Sequence, residues 1–230
     1  MESNHTKPLV EKVSDEIIQT IVEKDFNVGD KLPNEYELAE QLGVGRSTVR
    51  EAIKALVSRN ILEIRRGAGT FISQNLGIAE DPLGFTFIKD KHKLAQDLLQ
   101  IRLMIEPQIA LLAAENATKE DIEELTQLCD EVEELILAGK DYVEKDIEYH
   151  TKIASCSKNI VMPTLIPIIT TSIALFIDIT KKVLKKETIE THREILHAIE
   201  QGRGADAHDA MLLHLVYNRR NISQLNQSKK

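Results

Sequence analysis

Arg46, Ser47, Thr48 and Arg50 crowd into five successive residues, with Lys54 one helical turn further on, and together they carry the groups that grip a nucleic-acid duplex. The planar fork of an arginine pairs with O6 and N7 of guanine, while Ser and Thr hydroxyls and the backbone N–H groups of a helix N-terminus donate to phosphate oxygens. At helical spacing these side chains share one face, and Val49, Ile53, Leu56 and Val57 fall on the inner one. A second set lies far along the chain. Asp146 and His150 stand four residues apart, so on a helix both project from one face toward a common point. His192 and His214 lie on later helical stretches separated by Gly202-Arg203-Gly204, where antiparallel helices can bring them to the same place across a bundle core. One carboxylate and three neutral imidazoles suit a borderline divalent cation, zinc or nickel first, with manganese or cobalt also compatible. Taken singly, each histidine is better explained as a surface or hydrogen-bonded core residue, and spacing alone leaves the quartet undecided.

Positioning the first set requires a small, ordered succession of elements. Asn34 is placed to cap a helix through Ala39 and Leu42, Gly43-Val44-Gly45 breaks it, and Arg46 or Ser47 opens a second helix running to about Ser58. Ahead of them, Leu9 to Lys24 carries Val10, Val13, Ile17, Ile18 and Ile21 at helical spacing, a scaffold for the pair. After them, Leu62 and Ile64 alternate with Glu63 and Arg65, and Thr70 to Ile72 returns beyond Arg66-Gly67-Ala68-Gly69, which predicts a hairpin with a small, basic tip suited to a minor groove. Three helices and a β-hairpin wing in this order make a winged helix-turn-helix for double-stranded DNA. Charge agrees. The chain is acidic overall, with a formal net charge of −8, yet Arg46 to Arg66 holds six basic residues against two acidic ones.

The 230 residues leave room for two domains. The expected division is a DNA-binding domain over 1–73, a linker over 74–91 containing Gly77, Asp81-Pro82 and Gly84, and an all-α helical bundle over 92–230. Its helices are expected at 92–115, with Pro107 as a kink or break, then 118–138, 140–156, 160–184, 187–201 and 204–226. The fold class is therefore mostly α. Two unpaired cysteines, Cys129 and Cys156, indicate neither a disulfide framework nor a cysteine zinc site and fit a reducing cytoplasm. The first twelve residues lack the apolar core of a signal peptide. Ile160 to Ile177 is uncharged over eighteen residues, the threshold of a membrane span, but Pro163 and Pro167 and the need to keep Asp146 and His150 on the same side as His192 and His214 favour a buried bundle helix. His197 and His208 fall on other helix faces, and neither His5, in a tail, nor His92, at a helix start, has a partner in view. The acidic run Glu120 to Glu134 reads as a solvated face backed by Leu125, Leu128, Val132 and Leu135.

From Lys31 to Ile72 the chain resembles the GntR family of bacterial transcription regulators, whose signature LPxExxLAxxxGVxRxTVREA is matched in LPNEYELAEQLGVGRSTVREA. The resemblance implies that Arg46 and Arg50 read the major groove, Ser47 and Thr48 hold phosphates, and Arg66 and Gly67 enter the minor groove. Tyr36 stands where many members have Arg, so its hydroxyl is the remaining donor for a phosphate there. The segments Ile101 to Thr118, DIEYH at Asp146 to His150, Asn159, and His192 to Leu215 resemble the FCD effector domain of the FadR-like branch. That likeness implies Asp146, His150, His192 and His214 as metal ligands, with Arg102 and Asn159 at the effector.

Together these readings predict a homodimer, no membrane partner, and release from a palindromic operator by a small carboxylate bound at the metal. Two alternatives stand beside it: a metalloenzyme using the open metal position with Glu148 or Glu194 as base, and a DNA-binding protein whose metal is purely structural.

Overall fold

The computed structural model describes residues 7–74, 77–79, 81–170 and 185–227. By their contacts the residues divide into two compact units, Met1–Gly84 and Phe85–Lys230.

The first unit contains α1 (Leu9–Glu23), α2 (Glu35–Leu42), α3 (Arg46–Ser58), β1 (Leu62–Arg65) and β2 (Gly69–Ile72). Helix α2 starts where it does because Asn34 accepts from the backbone N–H groups of Tyr36 and Glu37, while the Glu37 carboxylate accepts from the Asn34 N–H. It ends at Gly43, whose φ of 65° is the left-handed turn a residue without Cβ adopts at little cost. Helix α3 then packs against α1 and α2. Val13, Ile17, Leu38, Val49, Ala52, Ile53 and Leu56 form the core, closed by Leu62 and Ile72 from the hairpin. The strands are antiparallel, with Leu62 opposite Ile72 and Arg65 opposite Gly69. Period-two alternation pairs Ile64 with Leu62 on one face, yet Ile64 is 55% exposed. Only the base of the wing reaches the core, and residues 64–69 are all exposed.

The second unit is helical: α4 (Lys91–Asn116), α5 (Lys119–Leu137), α6 (Val143–Cys156), α7 (162–170), α8 (Lys185–Glu200) and α9 (Gly204–Gln227). A short 3₁₀ turn, Phe85–Phe87, precedes it, and Phe85 packs on this unit's core. Asp90 caps α4 by accepting from the Lys93 N–H. Pro107 lies inside one continuous helix, so the expected break is absent. The proline removes one N–H from the ladder, and the burial of Leu98, Leu99, Ile109, Ala110 and Ala113 on either side holds the helix together. Helix α4 is the centre of the bundle and packs against α6, α8 and α9, while α5 packs against α6 and α8. At the start of α9, a Cβ on Gly204 would come 3.2 Å from the Leu111 side chain, so glycine permits the close approach of α9 to α4. Of the helix expected at 160–184, residues 171–184 lie outside the described residues. Among the described residues no helix is long and apolar enough to cross a membrane.

Candidate functional site

Helix α3 opens at Gly45 with no side-chain cap, so its first backbone N–H groups are left for another acceptor. Arg46, Ser47, Arg50 and Lys54 are exposed on it and Thr48 is half-buried. Tyr36 on α2 is 64% exposed. Arg66 and Gly67 form the exposed tip of the wing, where Gly67 has a φ of 72°. The expected DNA-contacting side chains are thus all at least partly open to solvent within one unit, with the basic groups clear of its core.

In the second unit, one turn of α6 supplies Asp146 and His150, α8 supplies His192, and α9 supplies His214. All four are buried. The three histidines each offer a ring nitrogen, and these nitrogens lie within 4.8 Å of one another. Their rings sit 5.6 Å (His150 to His192), 5.2 Å (His150 to His214) and 4.8 Å (His192 to His214) apart, centroid to centroid. Asp146 reaches between two of them, with Oδ2 3.9 Å from His150 Nε2 and Oδ1 3.5 Å from His192 Nε2. The sequence therefore places all four expected ligands at one point.

Electrostatics favour neutral imidazoles there. Burial first, and then the neighbouring charges of His150 and Arg102, holds the His192 ring well below the ordinary histidine range. Burial first, and then His192 and His150, does the same to His214. Burial also raises the Asp146 carboxyl, against the pull of His150 and Arg102. Asp146 Oδ1 and both ring nitrogens of His192 are buried without a hydrogen-bond partner. Such orphaned groups cost ~1–3 kcal/mol each, and three imidazole nitrogens beside a carboxylate oxygen are what a borderline divalent cation takes. These residues fit a metal.

Arg102 is also at the cluster, 2% exposed, with Nη2 3.4 Å from His150 Nε2. Its fork is engaged by Glu106: Nε lies 2.5 Å from Oε1 and Nη2 3.2 Å from Oε2. Burial alone would raise the Glu106 carboxyl, but Arg102 and His150 together hold it far below the usual carboxylate range. Glu106 Oε2 is 2.8 Å from His150 Nδ1. Asn159 does not join this group. It is exposed in the turn before α7, where its Oδ1 accepts from the Val161 N–H, so its side chain serves the local backbone and the expectation that it meets the effector is corrected. Glu106, Thr191 and Asn218 were missed from sequence and stand around the cluster. Thr191 Oγ1 is 2.9 Å from His214 Nδ1, and Asn218 Nδ2 is 3.3 Å from His214 Nε2. The only signal for Glu106 was a charged pair, Arg102 and Glu106, set four apart in an otherwise apolar run. His197 is exposed beside Glu200 and His208 pairs with Asp209, both away from the cluster, and His5 lies outside the described residues.

A winged helix-turn-helix unit followed by an all-helical unit defines a DNA-binding transcription regulator. Comparisons with known proteins make the assignment specific. Residues 9–72 match the bacterial regulatory proteins of the gntR family and residues 97–217 match the FCD domain. The chain belongs to the GntR family of bacterial transcription regulators, in the form that carries an FCD domain. It is 32% identical over 200 residues to the HTH-type transcriptional regulator LutR of Bacillus subtilis, covering 84% of this chain and 91% of that one. It is 32% identical over 208 residues to the Uxu operon transcriptional regulator of Escherichia coli, covering 85% and 79%. A solved structure described as Streptococcus agalactiae GntR is 45% identical, with a TM-score of 0.83 over 92% of this chain and 99% of the other. These relatives are regulators, not enzymes.

Proposed function

We propose that this regulator is a cytoplasmic, homodimeric repressor released from a palindromic operator when a small carboxylate metabolite binds at a divalent metal in the helical unit. In this reading residues 1–73 bind DNA, 74–91 link, and 92–230 sense the effector and dimerise. The observation that carries it is the meeting of Asp146, His150, His192 and His214 in one buried cluster whose carboxylate oxygen and His192 nitrogens lack partners. Those four residues hold the ion, zinc or nickel before manganese or cobalt. When bound, the metal supplies a Lewis-acidic position for a carboxylate oxygen. Arg102 keeps a positive charge beside that position and Glu106 keeps Arg102 in place. The first unit acts through α3: Arg46 and Arg50 reach base edges, Ser47, Thr48, Lys54 and Tyr36 meet phosphates, and Arg66 and Gly67 probe the minor groove. Two copies put two α3 helices about one helical turn of DNA apart. An effector shifts operator binding only through its differential affinity for the two dimer geometries.

The test is elemental analysis joined to operator binding. Wild-type protein should carry about one transition ion per chain, and His150→Ala and His214→Ala should lose it. A chelator followed by re-addition of metal with lactate-like, sugar-acid or dicarboxylate candidates should first abolish and then restore ligand-dependent release. Unchanged metal content in both variants would end the metal reading. Retained metal with no response to any acid would favour a structural ion.

A further inference from the structure

We propose that Glu106 and Thr191 are positioning residues of the cation site, each accepting the Nδ1 proton of one imidazole so that His150 and His214 both present a bare Nε2 before any ion arrives. The proposal rests on the metal reading above and extends it to two residues that are not ligands.

Two contacts at each ring agree. Glu106 is paired through both oxygens with the Arg102 guanidinium, at 2.5 and 3.2 Å, so it is a carboxylate with no proton to give. The proton shared across the 2.8 Å from Glu106 Oε2 to His150 Nδ1 therefore belongs to the ring. On the other side, Arg102 Nη2 stands 3.4 Å from His150 Nε2. A guanidinium only donates, so Nε2 holds its lone pair. At His214 the argument repeats with neutral groups. The single hydroxyl proton of Thr191 goes to the Glu187 carbonyl at 2.7 Å, which leaves Oγ1 to accept from His214 Nδ1 at 2.9 Å. Asn218 Nδ2 donates to His214 Nε2 at 3.3 Å.

His192 is held differently. Neither of its ring nitrogens has a hydrogen bond, and its place is set by Tyr149, whose Oη donates to the His192 carbonyl at 2.9 Å and whose ring lies 4.6 Å from the imidazole. Two ligands are thus fixed in tautomer and direction, and the third is held by packing and its own backbone. Partners of this kind orient a ligand ring and raise its basicity, and their loss typically costs ~10–100-fold in metal affinity.

Glu106→Gln strips buried Arg102 of its charge partner and endangers the fold, so the decisive variant is Thr191→Val, which removes only the hydroxyl at near-constant shape. The full chain, stripped of metal, is examined by nitrogen-15 NMR of the imidazoles and titrated with zinc alone. His150 and His214 should both carry hydrogen on Nδ1. T191V should bind zinc ~10–100-fold more weakly and show His214 as a mixture of tautomers, and Thr191→Ser should restore both. Hydrogen on Nε2 of His150 overturns the role of Glu106. Wild-type zinc affinity in T191V, or an unchanged His214 tautomer, overturns that of Thr191 while leaving the metal reading intact. A wild-type chain that binds no zinc, nickel, cobalt or manganese overturns the metal reading and this inference with it.

Discussion

Arg50 shows how a reading residue is prepared. Its Nε lies 3.0 Å from both oxygens of Glu35 and its Nη2 2.6 Å from one, so the fork that would meet a guanine is already oriented by a carboxylate on α2. Those hydrogen bonds hold the Glu35 carboxyl below its ordinary range. The pair is open to solvent, with side-chain exposures of 50% and 33%, and pairs of that kind are worth ~0.2–1 kcal/mol. A bidentate base contact is worth ~1–3 kcal/mol, so a guanine displaces Glu35. Arg50→Ala should therefore weaken operator binding by ~1–3 kcal/mol and relax preference at one base pair, while its thermal midpoint barely moves. Full operator selectivity in the variant would remove α3 from the role of reader. The type and position of Arg50 were legible in the sequence, but the carboxylate fifteen residues earlier was not, because only the packing of α2 on α3 brings the two together. Glu106 was hidden for a related reason. An Arg and a Glu four apart look like any solvated helix pair until burial to 2% each shows that they face a core.

At the scale of elements, punctuation was the most readable layer. Asn34 with Glu37 and Thr118 with Asp121 both form capping boxes, and Asn34→Ala should cost ~0.5–2 kcal/mol of stability, read as a fall in the denaturation midpoint of the first unit. What local signals could not rank was packing against propensity: Pro107 reads as a break and sits in an unbroken α4. Nor could they separate the acidic run into solvent and structure. Glu123, Glu124 and Glu134 are exposed as expected, but Asp121 is buried and accepts from Lys152, Lys158 and the Thr118 N–H, tying α5 to the end of α6. Burial alone would raise the Asp121 carboxyl, yet these donors outweigh it and hold it well below the usual range. A depressed carboxyl contributes stability that is fully present above its unfolded pKa, ~3.9, and is lost as pH falls through that value toward the folded one. Asp121→Asn should accordingly be less stable than wild type at pH 7 and lose less on acidification below about pH 4. Parallel acid limbs for the two proteins would show that Asp121 contributes nothing to the pH dependence.

For the molecule as a whole, the consequential fact is that two separate cores serve two chemistries. One core, built on Val13, Ile17, Val49 and Leu56, supports the basic face, and the other, built on Leu98, Ala110, Leu125 and Ile195, encloses the histidines. The expected ligands come from α6, α8 and α9, with Arg102 and Glu106 from α4, so an ion bound there clamps helices that are far apart in sequence. Binding to the folded state alone stabilises by RT ln(1 + [L]/Kd), ~2.7 kcal/mol at a hundredfold excess over Kd. That free energy belongs to the second unit, because no residue of Met1–Gly84 is in the cluster. Differential scanning calorimetry with added zinc should therefore raise the transition of the helical unit by several degrees and leave that of the winged unit where it was. In His214→Ala the zinc-dependent rise should vanish while the winged unit melts as before. Equal shifts in both transitions, or a rise that survives His214→Ala, would place the stabilising ion somewhere other than among these four residues.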